Sequence, residues 1–279
     1  MYVERPPSAG LAGRLACGWH RVSEAAFTQL VVPDACVDLI WGPDGLYVAG
    51  PDTGPMPAAL GIGETLAGVR FRPGGVGDFF GVPLQELRDL RVPLSDLPVG
   101  PGLLAELTKA AESWPAARER PRLAEPLMAG VRPAHLADAP VARHSPLDEA
   151  VLPGLRAGLE ARLQLLQAAV GRRLSAAAGP ASVDPAAPAI TTALGRGRSV
   201  AEVARDLGYS ERQLHRRSLL AFGYAPKTLQ RIVRFQHALR LARAGTPLAE
   251  VAVTAGYSDQ AHLSNDVKRL SGVQLSRLL

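Results

Sequence analysis

Between Leu152 and Leu174, apolar residues recur at 152, 155, 159, 163, 166, 170 and 174. Steps of three and four draw one continuous stripe along a helix. Such a stripe packs either on the rest of its own domain or as a seam with a second copy, so 152–174 is a candidate homodimer helix. A second, shorter helix is expected near Leu103–Ser113. The first hundred residues show a different rhythm. Thr28–Trp41, Leu46–Ala49 and Leu66–Phe71 are short β-branched and apolar runs, punctuated by Pro33-Asp34, Gly42-Pro43-Asp44-Gly45, Gly50–Pro55 and Arg72–Gly75. Closely spaced strands with that punctuation predict a small antiparallel sheet or barrel.

After Ser175–Pro188, a run of small residues with three prolines, the pattern becomes helical to the end. The run is too poor in large apolar residues to build a core and reads as a linker over 177–189. Ser199-Val200-Ala201-Glu202 is a capping box, with Val200, Val203, Ala204 and Leu207 as the apolar face of a short helix. Gly208-Tyr209 ends it, and Ser210-Glu211-Arg212-Gln213 opens the next helix with a second box. The arrangement returns 48 residues later. Thr246-Pro247 reads as an N-cap with proline in the first turn, Leu248, Val251, Ala252 and Ala255 form the face, and Gly256-Tyr257-Ser258 repeats Gly208-Tyr209-Ser210. Lys227–Arg243 is a longer connecting helix, tied to both units by Leu229, Ile232, Val233, Gln236, Leu239 and Leu241. Two short helices joined by a tight glycine turn, twice over, describe two helix-turn-helix units.

Residues 190–279 resemble the DNA-binding domain of AraC/XylS-type transcriptional regulators. The resemblance is carried by VAEVARDLGYSERQLHRR (200–217), GYAPKTLQRIVRFQHALRL (223–241) and PLAEVAVTAGYSDQAHLSNDVKRLSG (247–272). The N-terminal part is similar to an uncharacterised domain found ahead of this module in some bacterial regulators, through PDACVDLIW (33–41), AGPDTGP (49–55) and GVRFRPGGVGDFFGVPLQELRDLRVPL (68–94). The implied fold class is α+β: a β-rich, sensor-like domain over 1–100, a helical segment over 101–176, the linker, and an all-α DNA-binding domain over 190–279. This sequence departs from the family pattern at Ser218, where an aromatic is usual, at Leu263 and Val267, where Phe is usual, and at Asn265, often Arg. Gln274-Leu275 replaces a usual Thr-Pro. Ser218 puts a hydroxyl at a core position. Bonding back to the Leu214 carbonyl is the expected refuge, and the lost volume would cost about 2–4 kcal/mol unless a neighbour fills it.

Charge sharpens this reading. Residues 190–279 hold 14 Lys and Arg against 6 Asp and Glu, a net of +8, whereas the remainder carries 17 basic and 20 acidic residues, a net of −3. A basic third on an acidic body calls for an anionic partner. Double-stranded DNA is the partner expected. Arg212, Gln213, His215 and Arg216 in the first unit, and Gln260, His262 and Asn265 in the second, sit where side chains reach base edges. Arg217, Lys227, Arg231, Arg234, Lys268 and Arg269 suit phosphates.

The resemblance further implies a small-molecule effector or partner at the N-terminal domain and a contact with RNA polymerase. Asp34, Asp38, Arg70 and Arg72 are the polar candidates for effector contact; Arg70 and Arg72 alternate along a strand and should share a face, where ion pairs with the two aspartates are the competing reading. Cys17, His20, Cys36 and Asp38 lack metal-ligand spacing. No metal, cofactor or enzymatic activity is expected: Cys36 has no neighbouring base in sequence, and neither a nucleophile elbow nor a phosphate loop occurs. Apolar residues are 47% and charged residues 20% of the chain, ordinary globular proportions. No apolar window spans a membrane, the N-terminus shows no signal pattern and two cysteines make no disulfide framework, so a cytoplasmic regulator is the expectation. The alternative is an interaction protein whose helix-turn-helix domain has drifted at Ser218 and Asn265.

Overall fold

The computed structural model describes residues 1–112, 152–176 and 183–279. The N-terminal part is a six-stranded antiparallel sheet in the order β1-β2-β7-β4-β5-β8, with a second two-stranded sheet, β3-β6. The strands are β1 (Tyr2–Arg5), β2 (Leu15–Val22), β3 (Phe27–Val31), β4 (Val37–Gly42), β5 (Gly45–Ala49), β6 (Met56–Leu60), β7 (Thr65–Phe71) and β8 (Arg91–Pro93). Thr28–Trp41 divides at Pro33-Asp34 into β3 and β4, and the turn at Gly42–Gly45 joins β4 to β5. Four strands escaped the periodicity reading: β1, β2, β6 and β8. β2 contains a register break between Leu15 and Cys17, so its alternation is broken.

Two helices cover one face of the large sheet, α1 (Gly100–Glu112) and α2 (Leu152–Ala176). Leu159, Leu163, Leu166, Val170 and Leu174 of the α2 stripe are all buried within the chain. Leu159, Leu166, Val170 and Leu174 join Leu39, Trp41, Val69 and Phe71 in one core. Leu163 faces Gly18, where an added Cβ would stand 2.7 Å from Leu163 Cδ1. The stripe is thus covered by its own sheet. It also joins the described parts of 101–176 to the β-rich body. Most of the expected helix over 103–113 is present, and Ser113 lies outside the described residues.

Among the described residues the C-terminal part has six α-helices: α3 (Ala187–Gly195), α4 (Val200–Asp206), α5 (Glu211–Phe222), α6 (Pro226–Arg243), α7 (Leu248–Thr254) and α8 (Gln260–Ser271). α3 begins inside the stretch read as linker. Ala187, Ile190 and Leu194 are buried, and the Asp184 carboxylate accepts from the Ala186 amide ahead of the helix. Small residues gave α3 no strong periodic signal. α6 ties the units together through Leu229, Ile232, Phe235, Ala238 and Leu239. Gln236 instead reaches the N-terminal domain, donating to the Pro33 carbonyl at 2.6 Å, and Leu241 is only half-buried.

Candidate DNA-reading surface

The two units are built alike at the turn. Gly208 and Gly256 adopt φ of 69° and 79°, the left-handed conformation that closes a helix at no side-chain cost. The next amide then reaches five residues back: Tyr209 N donates to Ala204 O and Tyr257 N to Ala252 O, both at 2.8 Å. Each turn tyrosine lies under a guanidinium, Arg217 over Tyr209 at 4.4 Å and Arg234 over Tyr257 at 4.3 Å from the ring centre. Burial pushes the Tyr257 hydroxyl up to about 12.

The helix starts differ. α4 and α5 both carry complete capping boxes: Ser199 with Glu202, and Ser210 with Gln213. α8 is capped by Asp259, whose carboxylate accepts from the His262 amide at 2.7 Å and is held below its usual range by that bond. α7 starts one residue later than its sequence suggests, with Pro247 at the cap position and no side-chain bond there.

Arg212, His215 and Arg216 stand exposed on the first half of α5, and Gln260 and Asn265 are exposed on α8. None of these five has a hydrogen bond or ion pair among the described residues. His262 is half-buried, edge-on to Tyr257 with ring centres 5.1 Å apart, and its Nδ1 lies 3.1 Å from Ser258 Oγ. Gln213 is exposed but engaged: its Oε1 accepts from Ser210 N at 2.8 Å and from Ser210 Oγ at 3.1 Å. A glutamine that grips adenine must use Oε1 and Nε2 together, so the cap competes with that grip. Gln213→Ala is therefore expected to cost about 0.5–2 kcal/mol of stability, read by thermal denaturation. Base preference should change little.

The cations divide into two sets. Lys227, Lys268 and Arg269 are exposed and carry no ion pair among the described residues. Arg217 is 2.9 Å from Asp184, while Arg231 and Arg234 converge on Asp266 at 3.7 and 3.1 Å. Arg234 also donates to Gly256 O at 3.2 Å, so it fastens the second turn to α8. Asp184 and Asp266 left no sequence signal, because each is matched to its arginine only by folding.

Ser218 is fully buried, and its hydroxyl donates to the Tyr224 carbonyl at 2.7 Å. The expected bond to Leu214 O is replaced by this one. Phe222 and Tyr224, both almost wholly buried, supply aromatic bulk in the same core. Leu263 and Val267 keep the apolar face of α8.

In the N-terminal domain Arg70 stands opposite Asp38 in the β7–β4 register. It donates to that carboxylate at 3.1–3.2 Å and lies 3.8 Å from Asp34. Trp19 Nε1 also donates to Asp38, at 2.9 Å. Arg72 falls just beyond β7 and donates to the carbonyls of Ala12 and Leu15. Asp34 lines a cavity of about 370 Å³ between the domains, with Pro73, Thr192, Arg196, Gln236 and Arg240 among its walls. Burial pushes its carboxyl up. Cys17 packs with Trp19 and Ile40, whereas His20 pairs with Glu160 of α2 at 3.3 Å. Burial pushes the Cys17 thiol up to about 11.

Paired turns, each followed by a helix with an exposed polar start, make two helix-turn-helix units, the architecture of a DNA-binding module. Residues 196–279 match a helix-turn-helix domain family, and residues 3–93 match a domain of unknown function, DUF6597. The C-terminal segment is thus similar to a helix-turn-helix domain over 196–279. No curated protein matches the chain. Among solved structures, the C-terminal domain of AraT, a response regulator from Geobacillus stearothermophilus, is 24% identical over 33% of this chain and 77% of its own, with a TM-score of 0.31. ToxT from Vibrio cholerae is 11% identical over 94% of this chain and 96% of its own, at a TM-score of 0.40. ToxT with an unsaturated fatty acid bound is 9% identical over 99% of this chain and 94% of its own, at 0.39. Scores at this level establish no common arrangement of the whole chain. Among the described residues no helix is long and apolar enough to cross a membrane.

Proposed function

We propose that the chain reads DNA with α5 and α8 in two successive major grooves, about 34 Å apart. Its site is then two short, unlike blocks roughly 10 bp apart rather than a palindrome. The observation that carries this reading is the repeated turn, which leaves Arg212, His215 and Arg216 on one helix, and Gln260 and Asn265 on the other, exposed and unpaired among the described residues. Arginine favours guanine O6 and N7, whereas asparagine and glutamine favour adenine; the first block is expected to be guanine-rich and the second to contain adenine. Lys227, Lys268 and Arg269 serve phosphates. The N-terminal domain, packed directly on this module, tunes its presentation in response to an effector.

Selection from a random DNA library at about 150 mM salt tests the reading. A two-block site is expected, with the first block blurred by Arg212→Ala and the second by Gln260→Ala. Salt-sensitive binding without sequence enrichment would overturn it. The cation division gives a separate expectation. Lys227→Ala, Lys268→Ala and Arg269→Ala should each lower the slope of log affinity against log salt by about 1 without altering base preference. Arg234→Ala should act mainly on stability, because its charge already serves Asp266. Titrations at several salt concentrations read the difference.

A further inference from the structure

The recognition helices both end on glycine. Gly223 closes α5 and Gly272 closes α8, with φ of 74° and 73°. The same loop of the N-terminal domain touches both ends. A Cβ placed on Gly223 would stand 2.9 Å from Pro51 Cγ, and one on Gly272 would stand 3.4 Å from Pro55 Cγ. Five residues of β-domain loop, Pro51–Pro55, therefore span from one reading helix to the other.

The loop is itself held at several points. The Asp52 carboxylate takes both Nη atoms of Arg91 at 2.8 and 2.7 Å. Thr53 donates to Asp89 from its amide at 2.6 Å and from its hydroxyl at 2.8 Å. The buried Tyr224 hydroxyl donates to the Asp52 carbonyl at 2.7 Å, across the domain boundary. Proline rings at both ends restrict the backbone further. Without this loop, the two units are joined mainly through α6, 18 residues and about 27 Å long.

We propose that Pro51–Pro55 is a bridge that sets the separation and relative rotation of the two reading helices. These are positioning residues: the loop lies at the C-terminal ends of α5 and α8, and the base-facing side chains cluster in their first two turns. Docking of the N-terminal domain thus leaves the reading faces free. The inference rests on two-groove reading, and it adds that spacing specificity belongs to the N-terminal domain. Moving one block by a single base pair rotates it by about 35° around the DNA axis, so a rigid bridge penalises every spacing but one.

The test uses the full chain with Tyr224→Phe and Pro55→Ala combined, against duplexes in which both selected blocks are kept and their separation is varied by one to three base pairs. The wild-type chain should lose about tenfold or more in affinity per misplaced spacing, on the scale of a mismatched base pair. The double variant should show a profile at least about threefold flatter with the same base preference in each block. A profile as sharp as wild type would overturn the bridge. A second measurement needs no DNA: spin labels on Leu220→Cys of α5 and Val253→Cys of α7, both exposed, in a chain carrying Cys17→Ala and Cys36→Ala. Their distance distribution should be narrow and should broaden in the loop variant. Absence of any two-block site would sink two-groove reading, whereas an unchanged distance distribution would sink the bridge.

Discussion

The Arg212→Ala, Arg216→Ala double variant is expected to bind its selected site at least about thirtyfold more weakly than wild type, with the first block no longer read. Each guanidinium that grips a guanine edge contributes about 1–3 kcal/mol of discrimination. Both side chains are exposed, one helical turn apart, and neither has an ion pair among the described residues. Their loss should leave the fold intact, since neither contributes to the buried core of α5, which is Leu214, Ser218, Ala221 and Phe222. The two residues are close enough to contact neighbouring bases, so their effects need not add. Affinity for an unrelated duplex should fall far less, through lost charge alone. Equal loss on specific and unrelated DNA would mean that both arginines serve phosphates.

Tyr224→Ala is expected to destabilise the folded chain by about 3–5 kcal/mol, the cost of removing a large ring from a packed core. That is a large share of the roughly 5–15 kcal/mol that holds a typical protein together. Tyr224 is fully buried, and its hydroxyl satisfies the Asp52 carbonyl across the domain boundary. Tyr224→Phe keeps the ring and orphans that carbonyl, which should cost about 1–3 kcal/mol. Denaturant midpoints for the two variants separate packing from hydrogen bonding. Equal midpoints would assign the whole effect to the bond, and an unshifted Tyr224→Phe midpoint would show that water replaces it.

The C-terminal units were legible because their signals are local. Capping boxes at Ser199 and Ser210, the glycine turns at 208 and 256, and the apolar faces of α4, α5, α7 and α8 each lie within a few residues of chain. The β domain was half legible. β4, β5 and β7 carry strong apolar runs, while β2 hides behind its register break and β1, β6 and β8 are short. Even the clear 152–174 stripe announced a buried face without saying what covers it.

The sequence by itself determined the two helix-turn-helix units, the exposed arginines of α5 and the strand-rich character of the N-terminal part, since periodicity, caps and turns act between near neighbours. Only the tertiary structure decided which charges are free. Asp184 meets Arg217 and Asp266 meets Arg231 and Arg234 across intervals of more than thirty residues. It also decided that Ser218 answers the Tyr224 carbonyl, that the α2 stripe closes on its own sheet, and that one proline loop reaches both recognition helices. Such pairings join segments distant in the chain, and chain folding alone brings them within bonding distance.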